Sequence, residues 1–180
     1  MRPIRTAPKF ASRPASGLAL GLALLAAPLP LAAQDVVENE VAKIFAEHWM
    51  QSKEADKNGL LMYLSEERAM QGDYFSIRCE GDDRSIRLGF GDALEGDRTV
   101  FRVDGRAMTF PLEPTGVTPD PAISQGDIHG YRMVFSGGDQ LEAFLGDLRR
   151  GSELVIEGQD LPISLSGSAQ ALQEQAAYCQ

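Results

Sequence analysis

Hydrophobic and polar positions alternate through the middle of the chain. Phe75, Ile77 and Cys79 alternate with Tyr74, Ser76 and Arg78, the polar run Glu80-Gly81-Asp82-Asp83 reverses the chain, and Ile86, Leu88 and Phe90 alternate again. A period of two is the signature of half-buried strands, so this stretch predicts an antiparallel pair. The clearest local signal follows at residues 99–110, TVFRVDGRAMTF. Asp104-Gly105 supplies the two positive φ angles of a type I′ turn, which pairs Val103 with Arg106, Phe101 with Met108 and Thr99 with Phe110. Arg102 then faces Ala107 and Val100 faces Thr109, leaving one face apolar and the other mixed.

Elsewhere the period changes. Val37, Val41, Ile44 and Phe45 recur at i, i+4, i+7 and i+8 behind Asp35 and Glu38, which have capping-box spacing, so residues 34–48 predict an N-terminal helical segment. His48 and Trp49 either extend that face or begin a strand. The turn signal Asn58-Gly59 before the apolar run from Leu60 favours a hairpin of residues 49–52 with 60–65. Pro111, Pro114, Pro119 and Pro121, with Gly116 and Gly126, predict a long loop from Pro111 to His129, because proline lacks the donor a central strand needs. Tyr131 to Phe135 resumes a strand. Gly137-Gly138-Asp139 then opens a helix with Leu141, Phe144, Leu145 and Leu148 on one face, and Gly151 stops it. Residues 153–157 and 161–165 predict a last strand pair. Ser166-Gly167-Ser168 opens a final helix whose stripe is Ala169, Leu172, Ala176 and Cys179. The sum is a mainly β (α+β) domain, an antiparallel β-sandwich or curved sheet with short covering helices and a C-terminal helix.

The start of the chain reads as an address. Arg2, Arg5, Lys9 and Arg13 form a basic region without acidic residues, residues 17–27 (GLALGLALLAA) form a short apolar core, and Leu31-Ala32-Ala33 offers small residues before Gln34. A spanning helix needs about 20 unbroken apolar residues, and Pro28 and Pro30 interrupt this run. Residues 1–33 are therefore expected to be a Sec-type signal peptide cleaved after Ala33, with an uncleaved anchor as the alternative, and residues 34–180 a single exported β domain. No twin-arginine pair precedes the apolar core, and no cysteine follows it to accept a lipid.

Cleavage changes the charge. The chain carries 17 Lys+Arg and 26 Asp+Glu; removing four basic residues leaves 13 against 26, a net charge of −13. Such a surface repels nucleic acid and anionic lipid. Cys79 and Cys179 are the two cysteines, and an even count in an exported chain reads as one disulfide closing a loop of about 100 residues. Two free thiols are the alternative. Metal binding would need a CxxC or a neighbouring His, which the sequence lacks.

Candidate chemistry is sparse. G-x-S-x-G and the Walker loop do not occur, and Gly89-Phe90-Gly91 continues to Leu94 where a dinucleotide site needs a third glycine. Asp82, Asp83, Asp92, Glu95 and Asp97 fall in turns that favour Asp for local reasons. His48-Trp49 reads as a packed aromatic edge, and His129 as an exposed loop residue. No catalytic residue, metal ligand or cofactor follows from this pattern.

Trp49-x-x-Ser52, the apolar run 61–64, the strands Phe75-Ser76-Ile77-Arg78-Cys79 and Val100-Phe101-Arg102-Val103-Asp104, and the ending from Ile163-Ser164-Leu165-Ser166-Gly167 through Ala171-Leu172 to Cys179 resemble the type VI secretion accessory proteins called VasI or TagO. More loosely, the chain is similar to the invasion-associated locus B group of exported proteins. Where VasI-type proteins carry an extra cysteine-containing segment before the Trp, this chain has residues 37–45. The resemblance implies an exported antiparallel β domain, closed by a disulfide and acting as a non-enzymatic periplasmic accessory or binding module for an envelope or secretion-apparatus protein. The partner surface is expected on the long loop, at Pro114, Pro119, Pro121, Ile123 and His129. The alternative is a small hydrolase acting on an envelope polymer through carboxylates or His129.

Overall fold

The computed structural model describes residues 36–65, 74–81, 83–119 and 126–179. The expected signal peptide, Asp35 and Asp82 lie outside these residues. Eleven strands join one antiparallel sheet in the order β1-β2-β3-β4-β5-β6-β9-β8-β7-β10-β11. In chain order they are β1 (Val36–Glu38), β2 (Ala42–Phe45), β3 (Trp49–Ser52), β4 (Leu61–Tyr63), β5 (Phe75–Glu80), β6 (Asp83–Phe90), β7 (Arg98–Val103), β8 (Arg106–Pro119), β9 (Asp127–Met133), β10 (Glu153–Ile156) and β11 (Ile163–Ser164). Helices α1 (Gly138–Arg150) and α2 (Ser168–Tyr178) cover it.

Local turn chemistry sets the pairings. Asp104 and Gly105 adopt φ of 47° and 82°, and β7 meets β8 in the register that a two-residue turn dictates, Val103 against Arg106, Phe101 against Met108 and Thr99 against Phe110. Phe75 faces Leu88 and Ile77 faces Ile86 across β5 and β6. β3 and β4 pair Trp49 with Tyr63. Between them Asn58 and Gly59 both take positive φ, and a Cβ on Gly59 would lie 2.7 Å from Tyr178 Cβ and 2.8 Å from Cys79 Sγ. Only glycine lets that turn lie under the end of α2.

The N-terminal helix is not formed. β1 and β2 make a hairpin instead, Val36 against Phe45, because Asn39 Oδ1 accepts from the backbone N–H of Val41 (2.9 Å) and Ala42 (2.8 Å) and so fixes a turn in place of a helical one. Ala42 and Phe45 face the core, while Val37 and Val41 face outward. Four β-branched or aromatic residues are served as well by two short strands as by one helical stripe.

The long loop is also corrected. β8 runs on to Pro119 and β9 begins at Asp127, pairing Leu112 with Met133 through to Pro119 with Asp127. The prolines are tolerated because β7 ends its pairing at Arg98 against Pro111, so β8 beyond Leu112 has a neighbour on one side only. Leu112 N–H donates to Asp97 O on the β7 side, and backbone direction repeats every second residue, so the donor that Pro114 lacks falls on the open side. A bulge between Pro114 and Gly116 absorbs the rest.

The sheet curls until β11, at one end, meets β3 and β4. Trp49 Nε1 donates to Ser164 O (3.1 Å), and Tyr63 Oη accepts from Ser164 N–H (3.1 Å), so the cross-strand pair of β3 and β4 caps the outer edge of β11. Gln159 Nε2 bridges the carbonyls of Tyr74 (2.8 Å) and Gly89 (2.9 Å). One core results, with Trp49, Phe75 and Leu88 from one half and Phe101, Leu154 and Ile163 from the other. α1 adds Leu141, Phe144, Leu145 and Leu148 as its spacing predicts, and Phe144 sits edge-on to Phe101 (5.6 Å) and Phe110 (5.1 Å).

α2 turns a different face inward from the expected one. Ser168, Ala171, Leu172 and Gln175 are buried, whereas Ala169 is exposed. The two polar members are answered: Ser168 Oγ donates to Leu148 O (2.7 Å) and Gln175 Nε2 to Gly59 O (3.3 Å). Cys79 and Cys179 form the disulfide, with Cα atoms 5.2 Å apart. This bond is compatible with an extracytoplasmic location. Among the described residues no helix is long and apolar enough to cross a membrane.

Candidate functional site

Past Leu112, β8 has lost β7 and keeps only β9. The arm is this open edge of the sheet, residues 113–119, exposed throughout with Val117 at 55% exposure, and β9 behind it stays paired with β6 as far as His129. Of the expected partner-surface residues, Pro114 and Pro119 stand on this arm in β8 and His129 in β9; Pro121 and Ile123 lie outside the described residues. His129 is not a loop residue. It is half-buried in the ladder between Phe90 of β6 and Val117 of β8, and its imidazole makes no hydrogen bond or ion pair among the described residues. Ile128, opposite Thr118, is the buried residue that anchors the arm.

Where the arm joins the sheet, the outward positions of β5, β6, β9 and β8 form a row: Ser76, Arg87, Arg132 and Glu113. Glu80 accepts from Arg87 (3.0 Å) and pairs with Arg132 (3.4 Å), and Arg132 also holds Glu113. The Arg87 hydrogen bond keeps the Glu80 carboxyl below its ordinary range, and the Glu113 hydrogen bond raises Arg132 above its own. Both shifts favour the charged forms of Glu80 and Arg132, so this row can recognise charge but is not poised to exchange a proton. Comparison with protein families, with curated proteins and with solved structures finds no match.

The remaining candidates are separate from the arm. Trp49 is fully buried, edge-on to Tyr63 (5.5 Å) and Phe75 (5.8 Å), and His48 lies 6.0 Å from the Tyr63 ring, the packed edge its sequence predicts. Asp83, Asp92, Glu95 and Asp97 are exposed on or beside turns. No group of three or more His, Cys, Asp or Glu stands together as a metal site among the described residues. Sequence reasoning passed over Arg78, Arg87 and Arg132. Their outward places in alternating strands were legible, but which arginines the fold would neighbour with carboxylates was not.

Proposed function

We propose that this protein is a non-enzymatic, periplasmic accessory module that binds another envelope or secretion-apparatus protein, and that the β8–β9 arm is its contact surface. The observation that carries this reading is that β8 outruns β7, so residues 113–119 form an exposed edge of the sheet on a rigid, disulfide-closed scaffold. Pro114 and the bulge blunt the open edge against indiscriminate strand pairing, which leaves the side chains of residues 113–119, Val117 foremost, to select a partner. The resemblance to the VasI or TagO type supports the same role.

The test is site-specific photo-crosslinking in the exporting host. A photoreactive residue at position 117 is expected to give one discrete adduct with an envelope protein, lost on Thr118→Asp, while the same residue at exposed Arg98 gives none. Equal adducts from both positions, or none from position 117, would remove the arm from recognition.

A further inference from the structure

A groove of about 220 Å³ runs along the outer face of the sheet between β5 and β6 on one wall and the bulged part of β8 on the other. Ser76, Arg78 and Arg87 line the first wall, and Thr115 and Thr118 the second. Gly130 of β9 lies in the floor, where a Cβ would come within 2.7 Å of Thr115 Oγ1. Glycine there lets the threonine hydroxyl lie over the strand. Arg78 faces Ser85 and Arg87 faces Ser76 in the β5–β6 ladder, which makes the two arginines diagonal neighbours on one face.

These arginines are not fully satisfied. Arg78 takes part in no hydrogen bond or ion pair among the described residues, whereas Arg87 pairs with Glu80, and Arg132 with Glu80 and Glu113. The Nε atoms of Arg78 and Arg87 are both shut off from bulk solvent, and neither has a partner among the described residues. Buried donors are nearly always answered, and a guanidinium Nε–H left without an acceptor costs more than most. Two such donors in one groove, with hydroxyls opposite, form a constellation that accepts an oxyanion. Glu80 already takes one guanidinium nitrogen of Arg87 at 3.0 Å, which leaves Arg78 as the unpaired charge of the groove among the described residues, and acidic groups beyond about 8 Å are screened at physiological salt.

We propose that this groove is an oxyanion-binding site, taking a carboxylate or phosphate group on Arg78 and Arg87 with Thr115 and Thr118 as further hydrogen-bonding groups. Its second wall, Thr115 to Thr118, belongs to the edge proposed above as the partner surface, but the anion site itself is read on the protein alone, without a partner.

The experiment is a titration of the isotope-labelled exported protein, read at the arginine Nε–H signals and held at constant ionic strength with chloride. Inorganic phosphate is added in one arm and acetate in the other. In at least one arm the Arg78 and Arg87 signals are expected to move together and saturate in the millimolar range, while those of Arg98 and Arg102, paired elsewhere with Asp97 and Glu157, stay still. Saturation by phosphate alone assigns a phosphate ligand, and saturation by acetate assigns a carboxylate. Arg78→Gln is expected to weaken binding at least tenfold with the backbone spectrum preserved. If that variant does not fold, Arg78→Lys, which keeps the charge and loses the planar fork, is expected to weaken it at least threefold. Linear drift in both arms, or unchanged affinity in the folded variant, would overturn the proposal.

Discussion

Replacing both cysteines, Cys79→Ser with Cys179→Ser, is expected to destabilise the domain without releasing α2. The bridge closes a separation of 100 residues, for which the chain-entropy model gives a ceiling of about 4.7 kcal/mol, with about 2–5 kcal/mol the usual loss in small exported domains. The helix, however, is held by more than the bridge. Leu172 and Ala171 are fully buried, Ser168 Oγ bonds Leu148 O, and Lys43 of β2 meets Glu174 at 2.6 Å. What goes with the bridge is the constraint on the unfolded chain and the two sulfur contacts of Gln175 Nε2, at 3.2 Å to Cys179 and 3.7 Å to Cys79. A central figure of about 3 kcal/mol, over a urea slope of about 2 kcal/mol/M, lowers the midpoint by about 1.5 M. The slope itself should rise, since the unlinked chain unfolds to a less compact state. Urea denaturation of both proteins measures the loss, and native-state hydrogen exchange over α2 shows whether the helix stays docked. A midpoint shift below about 0.3 M, or collapse of α2 protection at unchanged global stability, would refute this reasoning.

Two further perturbations follow from single side chains. Asp104 accepts from the N–H of Ser152 (3.0 Å) and Glu153 (3.0 Å) while holding φ of 47°, so Asp104→Ala is expected to cost about 2–3 kcal/mol and Asp104→Asn about 1 kcal/mol in urea denaturation; equal losses would show that the turn conformation is not what Asp104 supplies. Glu80 is held below its ordinary range chiefly by the Arg87 hydrogen bond, so the folded protein binds fewer protons there than the unfolded chain. The stabilisation is complete above the unfolded carboxylate value of about 4.3 and disappears as pH falls from there through the folded value. Thermal unfolding should therefore separate the native protein from Glu80→Gln at pH 7 and bring them together by pH 3, by a small margin because the pair is exposed; a gap that does not change with pH would contradict the assignment.

The turns were legible because their chemistry is local. Asp104-Gly105 fixed a six-pair register from two residues, and Gly137 to Gly151 bounded α1. What failed depended on partners far along the chain. The spacing of Val37, Val41, Ile44 and Phe45 fits one helical face, but β2 gains β3 on its second side, and residues 42–52 form a strand pair instead. Proline argued for a loop from 111 to 129, and the structure has a ladder instead; beyond Leu112 β8 accommodates Pro114 and Pro119 by being an edge, which only the endpoint of β7 decides. The inward stripe of α2 was misplaced because Gln175 and Ser168 are polar, and their burial rests on carbonyls of Gly59 and Leu148 that no periodicity announces. The groove was invisible for the same reason: Arg78, Arg87 and Thr115 come from three strands, and that no carboxylate among the described residues pairs with Arg78 is a property of the assembled face.

The central claim is that the β8–β9 arm is the recognition surface, and hydrogen exchange on the purified complex with the crosslinked envelope partner tests it most directly. Amides of residues 113–119 and 127–130 should gain protection on binding while the β1–β2 hairpin and α1 exchange as in the free protein. Protection confined to β1–β2 or α1, with the arm unchanged, would contradict the account.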